Sequence, residues 1–158
     1  MKPINLPIFP LKLVVLPGTI QGLQIFEPRY LNMVKQCMSN ASNFVISYKS
    51  DKFDDFDFGI EKVGTSVQIV DFNNLPNGLL GITVKAESKV SLNNIIQLED
   101  KSYLGEVLPL TEPEVDDQSL LAKYPDLIEV LVKLKEHPEI KTLQLNIDLE
   151  SALSLIHI

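Results

Sequence analysis

The chain of 158 residues has one cysteine, two histidines, no tryptophan and seven glycines. A lone Cys37 excludes an internal disulfide and a cysteine-rich zinc site, and it suits a reducing compartment. His137 stands directly before Pro138 and His157 lies at the end of the chain. Neither has a cysteine, histidine or carboxylate at ligand spacing, so no metal and no other cofactor is expected. No histidine in the first hundred residues can activate Cys37, and no Ser/His/Asp set is arranged, so no catalytic residue is expected. The glycines (18, 22, 59, 64, 78, 81, 105) never take the spacing of a phosphate-binding loop. Long apolar runs are missing too. Leu13–Leu16 is too short to cross a bilayer and Leu127–Leu134 is interrupted by charge. The start, Met1-Lys2-Pro3-Ile4-Asn5-Leu6-Pro7, lacks the apolar stretch of a signal peptide. A soluble, cytoplasmic protein without a membrane partner is expected.

Basic residues are scarce. Lys and Arg total 14 against 21 Asp and Glu, a formal charge of −7. It is uneven: residues 1–50 carry +4, 51–106 carry −5 and 107–158 carry −6. Phosphate-backbone binding draws its affinity from Lys and Arg displacing counterions, so this balance argues against a nucleic-acid partner. The hydrophobic share of 45% is ordinary for a globular chain of one domain with at most a small appendage.

The first hundred residues read as β structure punctuated by proline and glycine. Pro3, Pro7 and Pro10 flank a strand at Ile4–Phe9 and mark it as an edge or strand end. Leu13–Leu16 reads as a short buried strand closed by a Pro17-Gly18 turn, and Thr19–Phe26 as extended. From Pro28 to Met38 the apolar residues Tyr30, Leu31, Val34, Cys37 and Met38 fall three and four apart, one face of a helix. Pro28 fits its first turn, and Glu27 precedes it where the helix dipole favours a carboxylate. Strands are predicted at Phe44–Tyr48, Val63–Phe72, Leu79–Val90, Ile95–Leu98 and Tyr103–Leu110, with Asn77-Gly78 supplying positive-φ hairpin positions. Some seven short strands predict a closed or nearly closed barrel. Beyond an acidic linker, Thr111–Asp117, helices are predicted at Ser119–Tyr124 and Asp126–Glu136, and a last one begins at Asp148.

The segments Leu6-Pro7-Ile8-Phe9-Pro10-Leu11, Val15-Leu16-Pro17-Gly18 and Ile25-Phe26-Glu27-Pro28-Arg29-Tyr30 resemble, in order and spacing, the opening of the Lon protease N-terminal (substrate-binding) domain. Val63-Gly64-Thr65 and the Asn77-Gly78 hairpin are similar to its middle section. Further on, the family's glycine and Arg-aromatic pair are replaced by Ala86 and Lys89-Val90. The resemblance implies an α+β fold: a PUA-like β pseudobarrel over residues 1–110, then an acidic linker and a small, truncated helical bundle over 111–158. It also implies a stand-alone or truncated form that carries the recognition module without ATPase or peptidase modules. The last six residues, Leu153–Ile158, match what the mosaic-end adapter of transposon-based sequencing libraries encodes in one frame, so the natural chain is expected to continue after about Ala152.

Each polar candidate has a plain structural reading beside the functional one. Glu27 and Arg29 with Tyr30 either grip a partner or lock the strand-to-helix junction, and the second is favoured because charges within an apolar motif are rarely buried unpaired. Pro17, Gly18, Phe26 and Pro28 belong to the same structural motif. Asp54, Asp55 and Asp57 lack the glycine and distal glutamate of a calcium loop. The peptide-binding candidates are Phe53, Phe56, Phe58 and Phe72, apolar residues in or near loops; the alternative is that they plug the barrel's open end. The function expected is non-catalytic recognition of unfolded or apolar protein segments, in the service of a protease or chaperone system. The alternative is an RNA-binding PUA-like module. Oligomeric state is left open.

Overall fold

A computed structural model describes residues 3–50 and 57–111, and, further on, Asp126, Glu129, Val130, Lys133 and Glu136. The first strand, Ile4–Leu11 (β1), changes partner midway. Ile4–Ile8 pairs antiparallel with Tyr103–Pro109 (β6), and Ile8–Leu11 pairs parallel with Phe44–Lys49 (β3). Pro7 and Pro10 therefore sit where β1 has a neighbour on one side only, so the missing N–H costs no ladder bond. The remaining elements are Ile20–Ile25 (β2), the helix Pro28–Asn40 (α1), a 3₁₀ turn at Asp57–Gly59, Ile60–Asn74 (β4) and Leu80–Gln97 (β5).

The sheet runs β2-β5-β4-β3-β1-β6, and β6 returns to β5. Five strands thus close a ring, while β2 stands outside it along the first half of β5. This is the expected PUA-like pseudobarrel. Alternation on β1 and β3 divides the interior into two cores. Ile8 and Val45 point inward with Leu92, Tyr103 and Val107. Phe9, Phe44 and Ile46 point the other way, onto Tyr30, Met33, Val34 and Cys37 of α1. Gly64 on β4 lets β3 close on it: a Cβ there would lie 2.6 Å from Val45 Cγ1 and 2.8 Å from the Ile46 carbonyl oxygen.

Several expectations are corrected. Leu13–Leu16 is not a strand. Val14 is exposed and only Val15 is buried, its carbonyl accepting from Thr65 Oγ1 at 2.6 Å, so a single anchored residue holds a run that looked like a ladder. The strands predicted at Leu79–Val90 and Ile95–Leu98 are one, β5, bent where Asn94 adopts φ +48° and the register with β6 shifts between Asn93 and Ile96. Six strands result. Gly78 alone takes positive φ in its turn (+79°), with Asn77 Oδ1 accepting the Leu79 N–H at 3.1 Å. Glu27 occupies the N-cap position of α1, but its side chain makes no capping bond.

The chain divides into two compact units, Met1–Thr111 and Glu112–Ile158. In the second, the five described positions are helical and exposed, and Lys133 pairs with Glu129 one turn away. The described residues contain one complete helix, α1, and give no support for the helical bundle. The helices expected at Ser119–Tyr124 and from Asp148, and the segment 153–158, lie outside the described residues. No helix among the described residues is long and apolar enough to cross a membrane.

Candidate functional site

Helix α1 has two ends with opposite characters, and the sequence-predicted residues fall on both. At the N-terminal end the polar groups satisfy one another. The Glu27 carboxylate turns from the helix to Arg29, with Arg29 Nε and Nη2 each 2.8 Å from Glu27 Oε2. Arg29 Nη1 donates to the Lys101 carbonyl in the β5–β6 turn, 72 residues away. The turn presents that carbonyl because Lys101 adopts φ +65° and the Asp100 carboxylate accepts from the Ser102 N–H at 2.9 Å. The Ser102 hydroxyl, donating to the same carboxylate, and the Ser102 N–H together hold the Asp100 carboxyl below its usual value. The guanidinium also lies 4.6 Å over the Tyr30 ring and 5.9 Å from that of Tyr103. Burial works against its charge, but Tyr30 and Glu27 outweigh that and its pKa is raised.

Tyr30 is buried, its ring 4.3 Å from that of Phe9. Desolvation pushes its hydroxyl up to about 12, with Arg29 partly opposing. An unfolded tyrosine ionises near pH 10. Between those values the native state holds a proton that the unfolded state has lost, so stability falls as pH rises from about 10 to 12. Phenolate absorbance during alkaline titration is expected to show an ionisation near pH 12 that is absent in Tyr30→Phe.

Beside this junction lies a cleft of about 220 Å³, lined by Phe9, Pro10, Ile25, Phe26, Lys49 and their neighbours. Phe26 is 67% exposed at its rim. Phe58 joins the same end through a tilted ring contact with Tyr103 at 5.4 Å.

The C-terminal end of α1 is open and exposes large apolar side chains among polar ones. A groove of about 290 Å³ runs between the end of α1 with the residues just after it (Cys37, Met38, then Ala41 and Ser42) and Gln68–Phe72 of β4. Met38, Val70 and Phe72 around it are 41%, 49% and 56% exposed. Cys37 forms part of its floor without offering a nucleophile. Its Sγ lies 3.8 Å from the Asn43 carbonyl, and burial pushes the thiol up, with a bond from Ser42 partly opposing. Among the described residues, no cluster of three His, Cys, Asp or Glu side chains is placed to hold a metal.

Phe72 is thus brought to the groove at one end of α1, and Phe58 to the aromatic contact at the other. Arg29 and Met38 are nine helical residues apart, roughly 14 Å along the axis, so the two phenylalanines do not form one patch. Phe53 and Phe56 lie outside the described residues. Met38 and Val70 were not singled out from sequence. The signal was present: in Gln68-Ile69-Val70-Asp71-Phe72 the alternation fails, leaving apolar residues on both faces.

Comparison with known proteins places this geometry. A family model described as the ATP-dependent protease La (Lon) substrate-binding domain matches residues 5–157. The Lon protease of Fusobacterium nucleatum is 24% identical over 122 residues, and Lon protease 1 of Thermus thermophilus is 29% identical over 132. These alignments cover 75% and 82% of the chain, which spans 16% of each relative's length. The crystal structure of a Lon N-terminal domain protein from Xanthomonas campestris superposes with a TM-score of 0.64 at 27% identity, covering 96% of this chain and 89% of that one. The N-terminal domain of a Mycobacterium avium complex Lon protease gives 0.67 at 16% identity, covering 94% and 78%, and so shares the fold.

Proposed function

Because the chain belongs to the Lon substrate-binding domain family, we propose that it is a non-catalytic module that recognises unfolded or apolar protein segments, in the groove between α1 and β4. The observation that carries this reading is the set Met38, Val70 and Phe72, three large apolar side chains exposed around one concavity. Arg29 and Glu27, the strongest polar pair of the motif, are already engaged with each other and with Lys101. A buried Cys37 whose thiol is pushed up is no nucleophile. The module works in the reducing cytoplasm, delivering segments to a protease or chaperone system.

Titrating the full chain with a fluorescent, permanently unfolded protein at two salt concentrations tests this. Saturable micromolar binding that survives high salt is expected, since apolar burial is weakly screened. Phe72→Asp is expected to weaken it at least tenfold, about 1.4 kcal/mol, by removing aromatic contact area and adding a charge that binding must desolvate. Equal binding by wild type and Phe72→Asp overturns the assignment of the groove. Binding of RNA with a steep salt dependence, and none of the unfolded protein, overturns the function.

A further inference from the structure

We propose that the bound segment is held as an added β-strand: an extended, alternately apolar and basic stretch pairs with the outer edge of β4 at Gln68–Asn74. This mode rests on the recognition reading above. It follows from a mismatch in strand length. β4 is fifteen residues long and pairs with β5 as far as Asn74, but β3 begins at Phe44, opposite Val67. Residues 68–74 therefore have a neighbour on the β5 side and none among the described residues on the other. A strand edge of this kind is a template for another extended chain, and since the Phe72 N–H is already taken by Asp71 Oδ1, it is the outward carbonyls that offer the ladder.

This edge opens onto the groove, with the last turn of α1 as the far wall. At about 290 Å³ the groove matches the smallest ligand pockets and takes a few side chains, not a folded element. Val70 stands where the register with β5 shifts, between Ile69 and Asp71, and with Phe72 it gives two exposed apolar side chains for an extended partner to grip. The basic character follows from charge. Among the described residues Asp71 is the one charged side chain lining the groove, its carboxylate accepting the Phe72 N–H at 2.8 Å, in a chain of net charge −7. Acidic segments are repelled and a lysine beside Asp71 is favoured. β2 also lacks an outer neighbour among the described residues, but Gly22 at its middle offers no side chain to grip. It serves as the control edge.

The test uses the full chain and a short fluorescent peptide in which valine alternates with threonine and lysine. Two twins carry the same side chains, one N-methylated at odd and the other at even positions. An added strand uses the N–H groups of alternate residues only. One twin is therefore expected to bind at least about tenfold more weakly than the parent, and the other within about threefold. Val70→Lys is expected to weaken the parent peptide by a similar factor with an unchanged melting temperature, because Val70 is half exposed, and Ile20→Lys on β2 to leave it unchanged. Twins that bind alike, or a loss with Ile20→Lys and not with Val70→Lys, overturn the proposal. If the unfolded protein binds and the peptide does not, strand addition fails while recognition stands. If neither binds, both fail.

Discussion

Gly64→Ala is expected to destabilise the domain by about 3 kcal/mol, the upper end for overpacking a closed interior. The new methyl group would lie 2.6 Å from Val45 Cγ1, 2.8 Å from the Ile46 carbonyl oxygen and 3.3 Å from Ser47 Cβ. Val45 is fully buried in the barrel core and cannot swing away. The Ile46 oxygen belongs to the backbone of β3 and moves only if the β3–β4 ladder opens. A thermal melt followed by circular dichroism is expected to show a fall of roughly 10 °C. Gly22→Ala is the control: it lies on β2 with nothing within 4 Å of a Cβ, and a change within about 0.5 kcal/mol is expected. Equal melts for the two variants would contradict the packing described.

Arg29→Ala is expected to have the second largest effect, about 2–3 kcal/mol, and to act on stability rather than binding. The pair with Glu27 contributes little alone, because both side chains are partly exposed (24% and 39%). More comes from the charged bond to the Lys101 carbonyl, about 1.5–3 kcal/mol, and from stacking on Tyr30, about 0.5–1 kcal/mol. These overlap, since one planar group makes them all. Arg29→Lys is expected to recover less than half, because an ammonium cannot reach Glu27 and Lys101 together in fork geometry. Affinity for the unfolded protein is expected to hold in both variants where they remain folded, since the groove lies at the other end of α1. Lost affinity with an unchanged melt would reverse the roles given to the two ends.

Local chemistry made part of this legible. The offsets from Tyr30 to Met38 define α1, and the turns at Pro17-Gly18 and Asn77-Gly78 fall where the residues put them. Features that depend on distant partners did not show. Leu13–Leu16 has the composition of a strand, but no strand of the sheet pairs with it. The gap left between the strands predicted at Leu79–Val90 and Ile95–Leu98 is, with β6 alongside, a bend within one long strand. The groove is the clearest case. It exists because β4 outruns β3 by seven residues, a difference set by pairing rather than by any local pattern. Phe72 stands out in the sequence as a misplaced aromatic, while Met38 falls on the apolar face of a helix and Val70 within a strand.

The most direct measurement is amide hydrogen exchange across the full chain, with and without a saturating, permanently unfolded protein. Slowed exchange is expected at the amides of Gln68–Asn74 that face away from β5 and in the last turn of α1, with Phe58, Tyr103 and the Glu27–Arg29 junction unchanged. Protection confined to the Phe26 and Phe58 end, with β4 beyond Val67 exchanging as in the free protein, would contradict the account.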